Sequence, residues 1–216
     1  MMLDETMRHT RALYIDLEST CWNQTPPSGM TPEIIEIGIV ELDLIDLRIT
    51  QEAAYFVRPR QWEISQKCTK LTGITSDDIQ HAKTFPEVLA AVVEKFRPKA
   101  TPCCAWGDDF ALLTKACNSE GLANPFRQPI DLCKSFQGIL AAKQQPSLVN
   151  ALELMGLQFE GFPHGALNDA RNTARLHIAI LRQMRMRRET QPTSTKAVDQ
   201  AASLSPFAQK LAHALK

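Results

Sequence analysis

The fold of this chain is decided by the segment Ala12-Leu13-Tyr14-Ile15-Asp16-Leu17-Glu18-Ser19-Thr20-Cys21-Trp22. Its apolar run predicts a buried β-strand over residues 11–18, yet two acids stand one residue apart near the end of that strand. Residues i and i+2 of a strand point to the same face, so we expect the carboxylates of Asp16 and Glu18 to lie side by side. Two like charges held this close repel each other unless a cation neutralises them. The segment therefore predicts a metal site.

Composition limits the kind of partner and the compartment. The chain has 216 residues, enough for one well-buried domain plus a tail, and its 24 basic and 24 acidic residues cancel. Contact with nucleic acid would therefore need a local basic patch. No apolar stretch approaches the ~20 residues that span a bilayer, and the N-terminus lacks the order of a secretory signal. Six cysteines without zinc spacing indicate reduced thiols. We expect a cytoplasmic monomer or homodimer without membrane contact.

The order of the predicted elements indicates an α/β fold with a mixed sheet, because three strands in succession are followed by alternating helices and strands. Strands are predicted at 11–18, 33–43, 50–57, 101–106 and 129–132, and helices at 84–96, 108–120, 135–143, 147–155 and 169–188. The second strand alternates apolar and polar residues, which predicts half-burial, and the region from the end of the third strand through residue 75 is expected to be rich in loops. Asn168 is expected to cap the last helix.

This pattern divides the chain into three parts. Residues 1–10 form an N-terminal extension, and residues 11–188 form the folded domain. Residues 189–216 are a polar tail, rich in Ser and Thr, that is expected to be flexible and is compatible with a short amphipathic helix at 206–215.

Two further acidic positions and a histidine are candidates for the same site. One acidic position lies in Trp106-Gly107-Asp108-Asp109-Phe110, where a strand gives way to a helix, and the other is Asp169. His164 lies in a loop flanked by glycine and proline, and the ordinary imidazole pKa near neutrality suits a general base. Each has a plainer interpretation when taken singly: Asp169 as a helix cap or dipole partner, and His164 as a solvated surface residue.

Taken together, these segments resemble the DEDDh branch of the DnaQ-like 3′–5′ exonucleases in the RNase T superfamily. The resemblance is strongest to the group of KapD-like bacterial proteins and eukaryotic exoribonucleases that trim histone-mRNA and 5.8S-rRNA ends. It covers about residues 11–185 and rests on the segments Tyr14–Trp22, Glu33–Gly38, Phe56–Pro59, Leu71–Ile74, Trp106–Asp108 and His164–Asn172. It implies a ribonuclease H-like mixed β-sheet with helices on both faces.

One motif departs from the family pattern. Many relatives read Trp-Gly-Asp-x-Asp, with the last Asp as the ligand, whereas this chain reads Trp106-Gly107-Asp108-Asp109. Counting back from Leu113 and Cys117 in the following helix places Asp109 in the ligand position, and we favour that alignment. Counting forward from Trp106 leaves Asp108 as the alternative.

The resemblance implies a two-metal phosphodiester hydrolase. Asp16, Glu18, Asp109 and Asp169 would hold two Mg²⁺ or Mn²⁺ ions per active site, and His164 would take the proton from the attacking water. The product would be a nucleoside 5′-monophosphate released from a 3′ end.

The substrate expected from the resemblance is the 3′ end of a single-stranded nucleic acid, with RNA favoured over DNA. Leu17, Ser19 and Thr20 are expected to contact the terminal nucleotide, and Trp22 and Leu71 to pack against a base, with core packing as the plain alternative for the last two. Two other functions stay open: a DNA proofreading or repair exonuclease, and a catalytically silent nucleic-acid-binding module on the same fold.

Overall fold

A mixed β-sheet organises the part of the chain that the structure describes. The computed structural model describes residues 9–24, 26, 28–60 and 64–190. Within these residues, six strands form one sheet: β1 (Arg11–Ser19), β2 (Ile34–Asp43), β3 (Arg48–Arg58), β4 (Lys83–Thr84), β5 (Cys103–Ala105) and β6 (Pro129–Asp131). Their order across the sheet is β4-β3-β2-β1-β5-β6.

The direction of pairing changes at β1. Strands β1, β2 and β3 pair antiparallel, whereas β5 pairs parallel with β1, β6 parallel with β5 and β4 parallel with β3. The sheet is therefore mixed, which confirms the fold class expected from the sequence. The parallel pairing of β1 with β5 covers only Leu13 and Tyr14. The second half of β1 thus extends beyond β5, and Asp16 and Glu18 lie in that extension.

Helices cover both faces of the sheet. Among the described residues they are α1 (Gln66–Thr72), α2 (Ser76–Ile79), α3 (Phe85–Phe96), α4 (Asp109–Ser119), α5 (Leu132–Leu140), α6 (Leu148–Leu154) and α7 (Ala166–Thr190). On one face, Leu13 and Ile15 of β1 pack with apolar residues of α3 and α4. On the other face, Tyr14 of β1 and Val40 of β2 pack with Ala170 and Ala174 of α7. The alternation of β1 residues between two cores explains why its apolar run is nearly continuous.

Three expectations about single elements were wrong. Strand β2 is not half-buried: nine of its ten residues are buried, because helices cover both faces of this inner strand. The region expected to be rich in loops contains α1, capped by the Ser65 hydroxyl, and α2 begins directly after that region, capped by the Thr75 hydroxyl. Helix α7 begins at Ala166, so Asn168 lies inside its first turn and does not cap it.

The ends of the chain are described only in part. Helix α7 runs to Thr190, two residues past the predicted domain boundary at 188. The predicted helix at 206–215 and most of the predicted N-terminal extension lie outside the described residues. No described helix is both long enough and apolar enough to cross a membrane.

Candidate active site

Strand β1 presents two carboxylates to the face that α7 covers. Ala12 and Tyr14 pack in the core on the α7 side, and Asp16 and Glu18 continue the same alternation toward the end of the strand. Asp169 of α7 meets them there: each of the three carboxylates has an oxygen within 4.8 Å of the others. We call Asp16, Glu18 and Asp169 the carboxylate cluster.

Close packing of α7 against β2 brings Asp169 to this position. A Cβ atom on Gly38 of β2 would lie 2.1 Å from the carbonyl carbon of Ala166, so the first helical turn rests directly on the strand backbone. Gly38 is the cross-strand partner of Asp16. Asp169 follows Ala166 by about one helical turn, and it therefore lies over the acids of β1.

Asp109 reaches the same region from the edge of β1 that faces β5, opposite the edge that pairs with β2. The Leu13 N–H donates to the Pro102 carbonyl at 2.9 Å, which shows that odd-numbered amides of β1 point toward β5. Strand β5 has ended by the level of Leu17, and the carboxylate of Asp109, the first residue of α4, accepts the Leu17 N–H at 3.0 Å. The first helical residue thus takes the place of a missing strand partner.

Asp108 is placed differently from its neighbour. Its side chain is 89% exposed, and its carboxylate lies 3.6 Å from the Lys134 ammonium. The carboxylate of Asp109, in contrast, is close enough to Asp16 for their charges to interact. This geometry favours Asp109 over Asp108 as the fourth acid of the site, which is the alignment preferred from the sequence.

His164 lies on an exposed loop beside the cluster. Its backbone is in the left-handed region, with φ of 64°, between Pro163 and Gly165. The loop is tied to α7, since the Asn168 side chain donates to the Phe162 carbonyl at 3.2 Å and the Asn172 side chain donates to the Glu160 carbonyl at 2.9 Å. Burial raises the pKa of Asp169, and the nearby His164 partly offsets that rise. The loop thus holds a proton acceptor next to the carboxylates.

Burial and mutual repulsion make these acids hard to ionise. Burial, followed by the charges of Asp109, Asp169 and Glu18, raises the pKa of Asp16 well above its ordinary value. Burial and the charge of Asp169 raise the pKa of Glu18 to about 8. Burial raises the pKa of Asp109 to about 6, although the hydrogen bond from Leu17 acts in the opposite direction. Such a group of buried carboxylates is unfavourable unless a positive charge compensates it.

A further acid beside the site, Glu36 of β2, is buried and was not among the residues predicted from the sequence. It is the cross-strand partner of Glu18, and its carboxylate accepts the Ala166 N–H at 3.0 Å. Burial raises its pKa, and the hydrogen bond from Ala166 partly offsets that rise. An acid within a strand as apolar as β2 was the available signal, by the argument that singled out Asp16 and Glu18.

The residues expected to contact substrate are placed in several ways. Leu17 and Ser19 each have a backbone group in a hydrogen bond within the fold. The Leu17 N–H donates to the Asp109 carboxylate, and the Ser19 carbonyl accepts a hydrogen bond from the Cys68 thiol. The Thr20 hydroxyl is buried and accepts the Glu33 N–H at 2.9 Å, so this side chain is engaged within the fold. Trp22 is partly exposed, and Leu71 of α1 is 41% exposed, so both have surface available to a base.

Comparisons with known proteins place the chain in a family. The family profile described as "RNase_T: Exonuclease" matches residues 13–177. The chain belongs to this exonuclease family. The 3′–5′ exoribonuclease 1 of Homo sapiens is 32% identical over 180 residues, which cover 77% of this chain and 51% of the human protein. The 3′–5′ exonuclease Snipper of Drosophila melanogaster is 29% identical, over 81% of this chain and 70% of that protein.

Solved structures agree with this assignment to the exonuclease family. The nuclease domain of 3′hExo, described as a DEDDh family member bound to rAMP, superposes with a TM-score of 0.74 at 30% identity. The match covers 82% of this chain and 94% of that domain. The chain spans about half the length of the exoribonuclease 1 proteins of human, rat and mouse, at 51%, 52% and 52%.

The carboxylate cluster fits the divalent metal ions that DEDDh exonucleases use. Carboxylate oxygens are the donors that hard divalent cations prefer. One of them, Oδ2 of Asp169, is buried and receives no hydrogen bond from any residue that the structure describes. A buried oxygen without a donor, among several acids with raised pKa values, is suited to a cation.

The stability of the metal-free protein is expected to fall as pH rises through this site. A carboxyl whose pKa is higher in the folded state stabilises the fold at low pH, and that contribution is lost as the group ionises. For Glu18 the loss should run from the ordinary carboxyl pKa of about 4 to its value of about 8 in the fold. Thermal unfolding in EDTA, followed between about pH 5 and about pH 8, measures the slope.

Glu18→Gln serves as the control for this slope, because it removes a titrating acid and keeps the side-chain size. The variant should lose part of the fall in melting temperature, and Mn²⁺ should raise the melting temperature of the wild type more at the higher pH. Equal slopes in the two proteins would contradict the expectation.

Proposed function

We propose that this protein is a metal-dependent 3′–5′ exonuclease that hydrolyses phosphodiester bonds at nucleic-acid 3′ ends and releases nucleoside 5′-monophosphates. The observation that carries the proposal is the convergence of Asp16, Glu18 and Asp169 within 4.8 Å of one another, on the exonuclease fold. A module that only binds nucleic acid needs no cluster of buried acids, which repel phosphate. The same acids are useful once cations offset their charge.

Each residue of the site has a role in this reaction. Asp16, Glu18, Asp109 and Asp169 would hold two ions, either Mg²⁺ or Mn²⁺. When bound, such ions supply positive charge to the phosphate oxygens and to the attacking and leaving oxygens. His164 would accept the proton of the attacking water, and its exposed loop leaves it accessible to the scissile phosphate.

RNA is the substrate that we favour. The similar human and mouse proteins are named exoribonucleases, and the similar nuclease domain was crystallised with rAMP. Another similar structure concerns recognition of the 3′ end of a histone mRNA stem-loop by 3′-exonuclease, at 29% identity. These are properties of the relatives, and they support by analogy single-stranded or overhanging RNA 3′ ends as the substrate here.

The proposal is tested with 5′-labelled RNA and DNA of equal sequence, each single-stranded and duplexed, in Mg²⁺, Mn²⁺ or EDTA. We expect stepwise shortening from the 3′ end with either metal, faster on single-stranded RNA, and none in EDTA. His164→Ala should lower kcat by about 10²- to 10⁴-fold, the usual contribution of a general base. Equal or faster cleavage of DNA would favour the proofreading or repair alternative.

Absence of any cleavage, together with strand binding that metal does not alter, would favour the silent binding module. A cytoplasmic location, expected from composition, and a monomeric or homodimeric state both stay predictions. The free cysteines, five of which are buried, are consistent with the reducing compartment.

A further inference from the structure

The start of α7 is capped by a residue from a distant part of the chain. The first turn of a helix leaves backbone N–H groups unpaired, and a Ser, Thr, Asp or Asn just before the helix usually accepts one of them. The residues before Ala166 are Pro163, His164 and Gly165, and Gly165 has no side chain to offer. Glu36, 130 residues earlier, accepts the Ala166 N–H at 3.0 Å instead.

Glu36 and Gly38 together fix the first turn of α7 on β2. The Glu36 side chain and the open face of Gly38 lie on the same side of the strand, since the two residues are two positions apart. Glu36 pairs across the strands with Glu18, and Gly38 pairs with Asp16. The two residues that hold the helix are therefore the direct neighbours of the two acids of β1.

The residues held by this contact are the ones that must be aligned with β1. His164 precedes Ala166 by two residues, and Asp169 follows it by three. Oδ2 of Asp169 receives no hydrogen bond from the described residues, so the position of the carboxylate depends on α7 and on the loop that precedes it. Backbone N–H groups of His164 and Gly165 also bond to the Asp169 carboxylate, which links the loop and the acid in one unit.

We propose that Glu36 is a positioning residue, whose hydrogen bond to Ala166 sets His164 and Asp169 relative to Asp16 and Glu18. This inference rests on the proposed exonuclease function, for which it adds a residue outside the carboxylate cluster. Glu36 acts through the reach of its side chain, which places an acceptor oxygen at the helix start. The negative charge itself is not required for that contact.

Two substitutions distinguish the effect of the length of the Glu36 side chain from the effect of its charge. Glu36→Gln keeps the length and an acceptor oxygen but removes the charge, whereas Glu36→Asp keeps the charge but withdraws it by one methylene. We expect Glu36→Asp to lower kcat by about 10- to 100-fold, as is common when a residue that supports metal ligands is substituted. Glu36→Gln should stay within about threefold of wild type, and KM should change little in either variant.

Glu41→Gln is the matched control, because Glu41 is also a buried acid of β2 but lies toward the far end of the strand, paired with Arg11 at 2.6 Å. It should alter stability without altering kcat. A second readout is the Mn²⁺ concentration that half-maximally raises the melting temperature, which should increase for Glu36→Asp and not for Glu36→Gln.

The inference is overturned if Glu36→Asp keeps wild-type kcat and Mn²⁺ response, or if Glu36→Gln loses as much as Glu36→Asp. The second result would mean that the charge of Glu36 matters directly. If the wild type cleaves no nucleic acid, the exonuclease proposal fails, and the Mn²⁺ response of the variants still decides whether Glu36 positions the site.

Discussion

Asp16→Asn is expected to lower kcat by about 10³-fold or more, because cations at such a site supply several kcal/mol of transition-state stabilisation. Asp16 is the acid whose pKa is raised by the most neighbours: Asp109, Asp169, Glu18 and Glu36. It therefore lies at the electrostatic centre of the site. Asn retains the shape of the side chain and removes the charge that would attract a cation.

The same substitution is expected to raise the melting temperature of the metal-free protein. In the metal-free fold Asp16 is either ionised among other acids or protonated at a cost in free energy, and Asn removes both penalties. Activity and metal-free stability should therefore change in opposite directions. Differential scanning calorimetry in EDTA measures the stability, and single-turnover cleavage of 5′-labelled RNA measures the activity. In the presence of Mn²⁺ the wild type should regain the advantage in melting temperature, because it binds the ion more tightly.

A loss of stability in EDTA would contradict this account, since it would mean that Asp16 contributes favourable contacts within the metal-free fold. Retention of activity within about tenfold would contradict the role assigned to Asp16, since tenfold corresponds to only about 1.4 kcal/mol.

Asp109→Asn and Asp108→Asn are expected to differ by about 10²-fold in kcat, with Asp109→Asn the impaired variant. The Asp109 carboxylate is buried against β1 and bonded to the Leu17 N–H, whereas the Asp108 side chain is 89% exposed. Asn at position 109 can still accept the Leu17 N–H, so the backbone geometry should persist. The fall in kcat should then come from the lost charge alone.

The Asp108 variant is an internal control for this comparison. The wild-type Asp108 carboxylate has a surface contact with Lys134, and exposed ion pairs of this kind contribute about 0–1 kcal/mol to the free energy of unfolding. Steady-state cleavage of one RNA by both variants gives the ratio. If Asp108→Asn proved the more impaired of the two, the motif would have to be aligned forward from Trp106.

The sequence was most informative where the physics is local. The alternation of a strand put Asp16 and Glu18 on one face, and the order of strands and helices indicated a mixed sheet. Both follow from neighbouring residues. The choice between Asp108 and Asp109 is not local, because it depends on where β5 ends relative to Leu17 of β1. Counting residues within the motif could favour one Asp but could not supply that contact.

The start of α7 shows the same limit more clearly. Asn168 has the residue type of a helix cap, and the local pattern predicted that role for it. The helix begins at Ala166, three residues before the predicted start at Asp169, because Glu36 accepts the Ala166 N–H and Gly38 leaves room for the turn. Both determinants belong to β2, so no window of sequence around residue 168 contains them. Thr20 is a related case, since its burial depends on Glu33 across the strand ends.

Product analysis with a 3′-terminal RNA nucleotide of known identity tests the central claim most directly. Wild-type protein is incubated with single-stranded RNA in Mn²⁺ or in EDTA, and released nucleotides are identified by mass spectrometry. We expect the 3′-terminal nucleoside 5′-monophosphate as the first product, dependent on the metal and absent with Asp16→Asn. Release of a nucleoside 3′-monophosphate, of an internal fragment, or of the same product in EDTA would contradict it.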